Sequence, residues 1–182
     1  MTDGDMWVFG YASLIWNPGF PFEEKALARL RDYSRSFCMR SIHHRGTEAD
    51  PGLVLALDAH PGAACEGVAF RVPEAQTAAV LAYLRERELI SSAYIERVLP
   101  LRLEGGRAVE AVAYVVDRDH VQYCGGLPLE EQARIIASAH GGRGPNDEYL
   151  FNTADHLAGL GIADEELSWL ARRVRALGST RA

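Results

Sequence analysis

Cysteine is scarce in these 182 residues: Cys38, Cys65 and Cys124 are the only three. An odd, widely scattered set excludes a disulfide framework and a cysteine zinc knuckle, and suits reduced thiols packed as small hydrophobes. Positive charge is also sparse. The formal net charge is −6, and no Lys/Arg block appears that could track phosphates, so the chain offers nucleic acid no basic field. No apolar run approaches the roughly 20 residues of a bilayer span, and the acidic start MTDGD lacks the positive segment of a secretory leader. The expectation is a cytoplasmic protein with neither a nucleic-acid nor a membrane partner.

The chemical motifs that are missing narrow the reaction classes. The six histidines show no H-x-x-x-H or H-E-x-x-H spacing, and the adjacent His43 and His44 point in opposite directions on a strand. No metal is expected. There is no G-x-S-x-G elbow and no cysteine in a nucleophile motif, so covalent catalysis has no support. GGRGPN at 141–146 lacks the Lys-Ser/Thr of a phosphate loop and reads as two helix ends meeting.

What is present is an ordinary globular composition, 48% hydrophobic and 24% charged, with no repeat, no low-complexity tract and no boundary inside 1–182, which predicts a single domain. Short extended runs at 6–11, 52–57, 65–72, 94–103 and 108–116, bounded by Gly and Pro breakers, read as strands. Between the third and fourth, VPEAQTAAVLAYLRERE reads as a helix entered through Pro73 and Glu74. After Gly125-Gly126 three segments, PLEEQARIIASAH, NDEYLFNTADHLAGL and ADEELSWLARRVRAL, each open on Pro, Asn or an acid and stop before Gly. That capping asymmetry predicts three C-terminal helices. Strands first and helices later give α+β, with a mixed, strongly curved or barrel-like sheet, one internal helix and the helical set at the end.

Two stretches carry candidate chemistry. WVFGYASLIW (7–16) begins as a strand and breaks at Gly10-Tyr11-Ala12-Ser13 before turning apolar again. In the internal helix, Val80, Leu81 and Leu84 define an apolar stripe at about 100° per residue; Glu88 falls within about 40° of its centre and Glu86 about 160° away. Glu86 is a solvated acid on this reading. Glu88 falls on the extended stripe, either as the partner of a neighbouring arginine such as Arg85 or Arg97 at the helix end or as a general acid/base. Helix geometry alone leaves both open.

In order along the chain, VFGYASLIW, HHRG, EGVAFRV, YLRERE and PLEEQARIIASAHGGRGPNDEYLFNTADHLAGLGI resemble the ChaC family of glutathione-specific γ-glutamylcyclotransferases, over about Trp7 to Leu177. The resemblance implies that fold and a small-molecule γ-glutamyl substrate: the α-amine of a γ-glutamyl residue attacks its own γ-carbonyl, closing 5-oxoproline and releasing Cys-Gly from glutathione. Neither metal, cofactor nor enzyme nucleophile is called for. It places the general acid/base on Glu88. It also assigns the glutamyl-binding turn to Val8, Phe9, Gly10, Tyr11, Ala12, Ser13 and Leu14, a substrate carboxylate to Arg45 of HHRG, and the orienting of Glu88 to Tyr149 of NDEYLF.

Two departures stand out. Ala12 occupies a position that is usually Gly; were φ positive there, Ala would cost roughly 1 kcal/mol or more, and its methyl would crowd the ligand. ELISSAY also replaces a shorter Gly-Gly-Tyr, so Tyr94 matches the family only across an insertion. The rival readings are a cyclotransferase for other γ-glutamyl peptides or amines, and a non-catalytic γ-glutamyl-binding regulator linked to cation transport.

Overall fold

The N-terminal apolar run becomes β1 (Met6–Gly10), in which Val8 and Phe9 are wholly buried. It is apolar on consecutive positions because both of its faces are buried, as Trp7, Val8 and Phe9 in succession show. β3 (Gly52–Val72) pairs antiparallel with it from Met6↔Val72 to Gly10↔Val68, and β5 (Ala108–Val116) pairs parallel at Trp7↔Ala111 and Val8↔Val112. β4 (Tyr94–Leu103) runs antiparallel to β5 and, through Ala28↔Leu103 to Leu30↔Leu101, to β2 (Glu24–Ser41). The sheet closes in the order β1-β3-β2-β4-β5. The expected curved mixed sheet is thus a closed barrel, seen in a computed structural model that describes residues 4–179.

Several elements differ from the sequence expectation, among them GGRGPN, which holds paired strands at His140–Gly141 and Gly144–Pro145 where two helix ends were expected to meet. β2 is a strand that the charge-rich EKALARLRDYSRSFCMRS did not announce; Ala28 and Leu30 are buried while Arg29 and Arg31 between and beyond them are exposed, so the polar face hides the alternation. The runs at 52–57 and 65–72 are one strand, β3, carried past Pro61-Gly62 by an exposed bend. There Gly62, at φ +85°, donates its N–H to Asp32 Oδ1 at 3.0 Å, and Asp32 itself sits at φ +65°. The break after Gly10 holds a short helix, α1 (Ser13–Trp16). The last helix, α5 (Glu165–Ser179), runs through Gly178 rather than stopping at it.

Two compact units divide the chain. The first takes residues up to Arg35 and Leu57–Val121, with α1 and α2 (Glu74–Glu88). Phe70 is central to its core: the rings of Phe20 and Phe22 lie 5.6 and 4.9 Å from it. The second takes Ser36–Ala56 and the chain from Gln122 on. It holds α3 (Leu129–Ser138), a small ribbon of β6 (His140–Gly141) and β7 (Gly144–Pro145), α4 (Asn146–Gly159) and α5. Pro128 and Pro145 cap α3 and α4, and Asp164 Oδ1 accepts the Leu167 N–H at the start of α5. Among the described residues no helix is long and apolar enough to cross a membrane.

Candidate active site

The strand end at Gly10 is shaped by close contacts. A Cβ on Gly10 would sit 3.1 Å from Leu14 Cβ and 3.2 Å from the Phe70 ring, and one on Gly67 would run into the Gly10 carbonyl and, at 2.9 Å, the Phe9 ring. These two glycines let β1 and β3 approach where the chain leaves the barrel. Val8 and Phe9 are buried to 0% exposure, so this pair has only backbone to offer a ligand. Tyr11, Ala12 and Leu14 are also buried, and Ser13 is half-buried.

Ala12 has φ −144°. The left-handed conformation that would have penalised alanine is not adopted, which removes the objection from positive φ. Its carbonyl accepts the Ile15 N–H at 2.9 Å, closing the first turn of α1. Tyr11 is fixed from the other side by Arg35, a buried cation whose Nη1 donates to the Tyr11 carbonyl at 2.8 Å and to the Glu66 carbonyl at 2.9 Å. Sequence reading passed over Arg35 because it lies in the strand that was not recognised.

At the C-terminal end of α2 the apolar stripe runs as calculated. Val80 and Leu84 are buried, Glu86 is exposed, and the Glu88 side chain keeps 16% of its surface. Glu88 has a neighbouring arginine beside it, as the helix-end reading allowed, and that arginine is Arg87. Arg85 instead makes a two-pronged contact with Glu96, Nε to Oε2 at 2.9 Å and Nη2 to Oε1 at 2.8 Å. Arg87 Nε stands 3.3 Å from Glu88 Oε1. The rest of that guanidinium reaches the turn: Nη2 donates to Ser13 Oγ at 3.1 Å, and Nη1 donates to the Asn17 carbonyl at 2.6 Å, the Pro18 carbonyl at 3.1 Å and the Tyr83 hydroxyl at 3.1 Å. One cation therefore joins the carboxylate to the turn.

Tyr114, buried in β5, donates its hydroxyl to Glu96 Oε2 at 3.0 Å. Burial pushes its phenol well above the ordinary tyrosine range, and the negative charges of Glu96 and Glu88 add to the effect. Tyr114 thus stays protonated as a fixed donor within the field of Glu88.

Arg45 and Tyr149 belong to the second unit and lie together there. The Arg45 guanidinium stands 5.7 Å from the Tyr149 ring centroid and donates from Nη1 to the Pro145 carbonyl at 3.1 Å, while its backbone N–H donates to Ser41 Oγ at 2.9 Å. The Tyr149 hydroxyl accepts the Leu55 N–H at 3.1 Å, and its ring meets Phe37 edge-on at 6.1 Å. Beside them the wholly buried Asn146 clamps Leu53, accepting its N–H and donating to its carbonyl, both at 2.8 Å. This two-way amide bond is a feature that sequence reading did not single out. Burial and the charges of Arg143, His43 and Arg45 hold the neighbouring His44 below the ordinary histidine range.

Residues 6–177 match the family model described as ChaC-like protein. The glutathione-specific γ-glutamylcyclotransferase of Escherichia coli K12 is 37% identical over 175 residues, 96% of this chain and 75% of that one. Human glutathione-specific γ-glutamylcyclotransferase 1 is 34% identical over 175 residues, 92% of this chain and 78% of that one. Among solved structures, the crystal structure of a γ-glutamyl cyclotransferase specific to glutathione from yeast superposes with a TM-score of 0.87 at 25% identity, covering 96% of this chain and 97% of the other. With a closed barrel, a helical C-terminal set and a match over nearly its whole length, the chain belongs to the ChaC-like family.

Proposed function

We infer that this chain is a glutathione-specific γ-glutamylcyclotransferase. It takes a single small-molecule substrate, splitting glutathione into 5-oxoproline and Cys-Gly. Support comes from the family and from the names its relatives carry, in bacteria, fission yeast and mammals alike. The observation that carries the reading is Glu88: an inward carboxylate at a helix end, tied through Arg87 to the turn that follows β1.

The chemistry asks for few parts. An α-ammonium group is mostly protonated near neutral pH and cannot attack until a base takes its proton. In the proposed mechanism Glu88 accepts that proton, and the amine nitrogen adds to the γ-carbonyl carbon. As the bond to the cysteine nitrogen breaks, Glu88 returns that proton to it, and the second proton shed by the ring nitrogen ends on the same leaving amine, so 5-oxoproline forms as a neutral lactam and Cys-Gly leaves as an ammonium. No covalent enzyme intermediate forms, and the carboxylate ends as it began.

Ring closure also needs the γ-glutamyl arm folded back, since an extended arm keeps amine and carbonyl apart; holding the folded form is worth several kcal/mol of barrier. The proposal gives this task to Val8–Leu14, with backbone N–H groups around Tyr11, Ala12 and Ser13 stabilising the negative charge that develops on the γ-carbonyl oxygen. It gives Arg45 the role of meeting a substrate carboxylate, a charge that the chain's net acidity makes necessary, and Tyr149 that of an orienting residue.

The test is release of 5-oxoproline from glutathione, γ-Glu-Ala and γ-Glu-ε-Lys by purified protein, with Glu88→Gln and Glu86→Gln in parallel. Expected are turnover of glutathione above the other two, a loss of about 10²–10⁴-fold in Glu88→Gln, and no change in Glu86→Gln. No turnover of any substrate overturns the enzyme reading. Full activity in Glu88→Gln overturns the assignment of the acid/base alone.

A further inference from the structure

We propose that Arg87 is a positioning residue that sets the Glu88 carboxylate against the glutamyl-binding turn, through one guanidinium engaged on all three of its nitrogens. The inference rests on the function proposed above and deepens it.

The geometry goes beyond an ordinary helix-end contact. A guanidinium near the last carbonyls of α1 is a familiar C-terminal cap, and the bonds to the Asn17 and Pro18 carbonyls fit that role by themselves. Such a cap has no need of Glu88 or Ser13. Here Nε faces Glu88 Oε1 while Nη2 of the same planar group reaches Ser13 Oγ. Because the guanidinium is planar and rigid, the separation between those two oxygens is fixed by the cation and not by two independent side chains.

The cation is itself held. The Arg87 side chain keeps 13% of its surface, and Nη1 is occupied by two carbonyls and by the hydroxyl of Tyr83, one turn back on α2. The Tyr83 ring leans on Phe20, 6.5 Å between centroids, and its hydroxyl fills the space over Gly19, whose φ of +74° forms the corner. The corner at 17–19, the end of α2 and the start of α1 therefore share one anchor. A lysine keeps the charge but is a compact ammonium on a flexible stem, without the planar fork that holds the two oxygens at a set separation.

The experiment compares kcat and KM for glutathione in the wild type, Arg87→Gln, Arg87→Lys, Ser13→Ala and the Ser13→Ala/Arg87→Gln double variant, with thermal melting to confirm folding. Displacing a reacting group by about 1 Å costs up to about 100-fold. Accordingly, Arg87→Gln is expected to lower kcat about 10–100-fold with KM within about threefold, and Arg87→Lys to recover little of it. Since Ser13 and Glu88 act through the same group, the double variant should fall no further than Arg87→Gln. Wild-type kcat in Arg87→Lys, a rise in KM with kcat unmoved, or a fully multiplicative loss in the double variant each overturns the proposal. If Arg87→Gln fails to fold, Arg87→Lys and Ser13→Ala decide, the latter by whether kcat falls. A wild type inactive on every γ-glutamyl substrate overturns the function and this role together, whereas an active wild type with indifferent Arg87 variants overturns this role only.

Discussion

Arg35 reaches from β2 to the turn and donates from Nη1 both to the Tyr11 carbonyl, at 2.8 Å, and to the Glu66 carbonyl, at 2.9 Å. The two carbonyls belong to different segments, one leaving β1 and the other within β3, so a single side chain pins the exit of the turn to its neighbouring strand. Arg35→Met keeps most of the stem and deletes the donors. Leaving buried carbonyls without this partner costs about 1–3 kcal/mol, to be read from denaturant unfolding, and a loosened turn should raise KM for glutathione more than it lowers kcat. Unchanged stability together with unchanged KM would show that the turn does not depend on this anchor.

Gly67 makes a sharper structural demand. Its added Cβ meets the Gly10 carbonyl and the Phe9 ring, neither of which is the free end of a flexible chain. Gly67→Ala therefore must push β3 away from β1, and overpacking of this kind costs about 1–3 kcal/mol. Gly62→Ala is the control for lost glycine freedom, because its Cβ enters open space and only the strain of φ +85° remains. The check is urea unfolding of both, with Gly67→Ala expected to lose activity as well as stability.

Ala12 gives the opposite expectation. With φ at −144°, Ala12 lies outside the left-handed region that favours glycine. Ala12→Gly is expected to leave KM and kcat for glutathione within about twofold and to lower stability by about 0.5–1 kcal/mol through the added freedom of the unfolded chain. A clear fall in KM would mean that the methyl group obstructs the substrate.

The sequence was readable where burial and periodicity agree. β1 announces itself as a short continuous apolar run and β4, β5 and α2 by their apolar positions between breakers, and Pro128, Asn146 and Asp164 mark helix starts by chemistry that needs no tertiary partner. β2 did not, for its outward positions carry Arg and Asp and its inward ones include small Ala28. Nor did the continuity of β3, since Pro61-Gly62 signals a break in any local reading, and only the facing Asp32, thirty residues away in sequence, turns that break into a bend.

The site shows the same division. The helical wheel separates Glu88 from Glu86 because the exposure of both is set by α2 itself. Which cation serves Glu88 is a different matter. Neighbours at i,i+1 do not face each other within a helix, so Arg87 was invisible as a partner until the helix was seen to end at Glu88. Arg35 and Asn146 act on backbone atoms distant in sequence, and no motif records a bond to a carbonyl.

The contact of Arg85 with Glu96 makes part of the acid stability of the fold predictable. Hydrogen bonding by Arg85, helped by Tyr114 and by the Arg85 charge, outweighs burial and holds the Glu96 carboxyl below its ordinary value near 4.5. A folded state with the lower pKa binds the proton less readily than the unfolded chain, so this contribution is present in full above the unfolded value and is lost as pH falls through the folded one. Glu96→Gln should be less stable than wild type at pH 7, and the gap should narrow once the pH drops below about 4.5 and the wild-type carboxylate is protonated in its turn. Denaturant unfolding of both proteins at pH 7, 5, 4 and 3 measures this directly. A gap that stays constant across the series would mean that Glu96 contributes through its shape and its bond to the Tyr114 hydroxyl, and not through its charge.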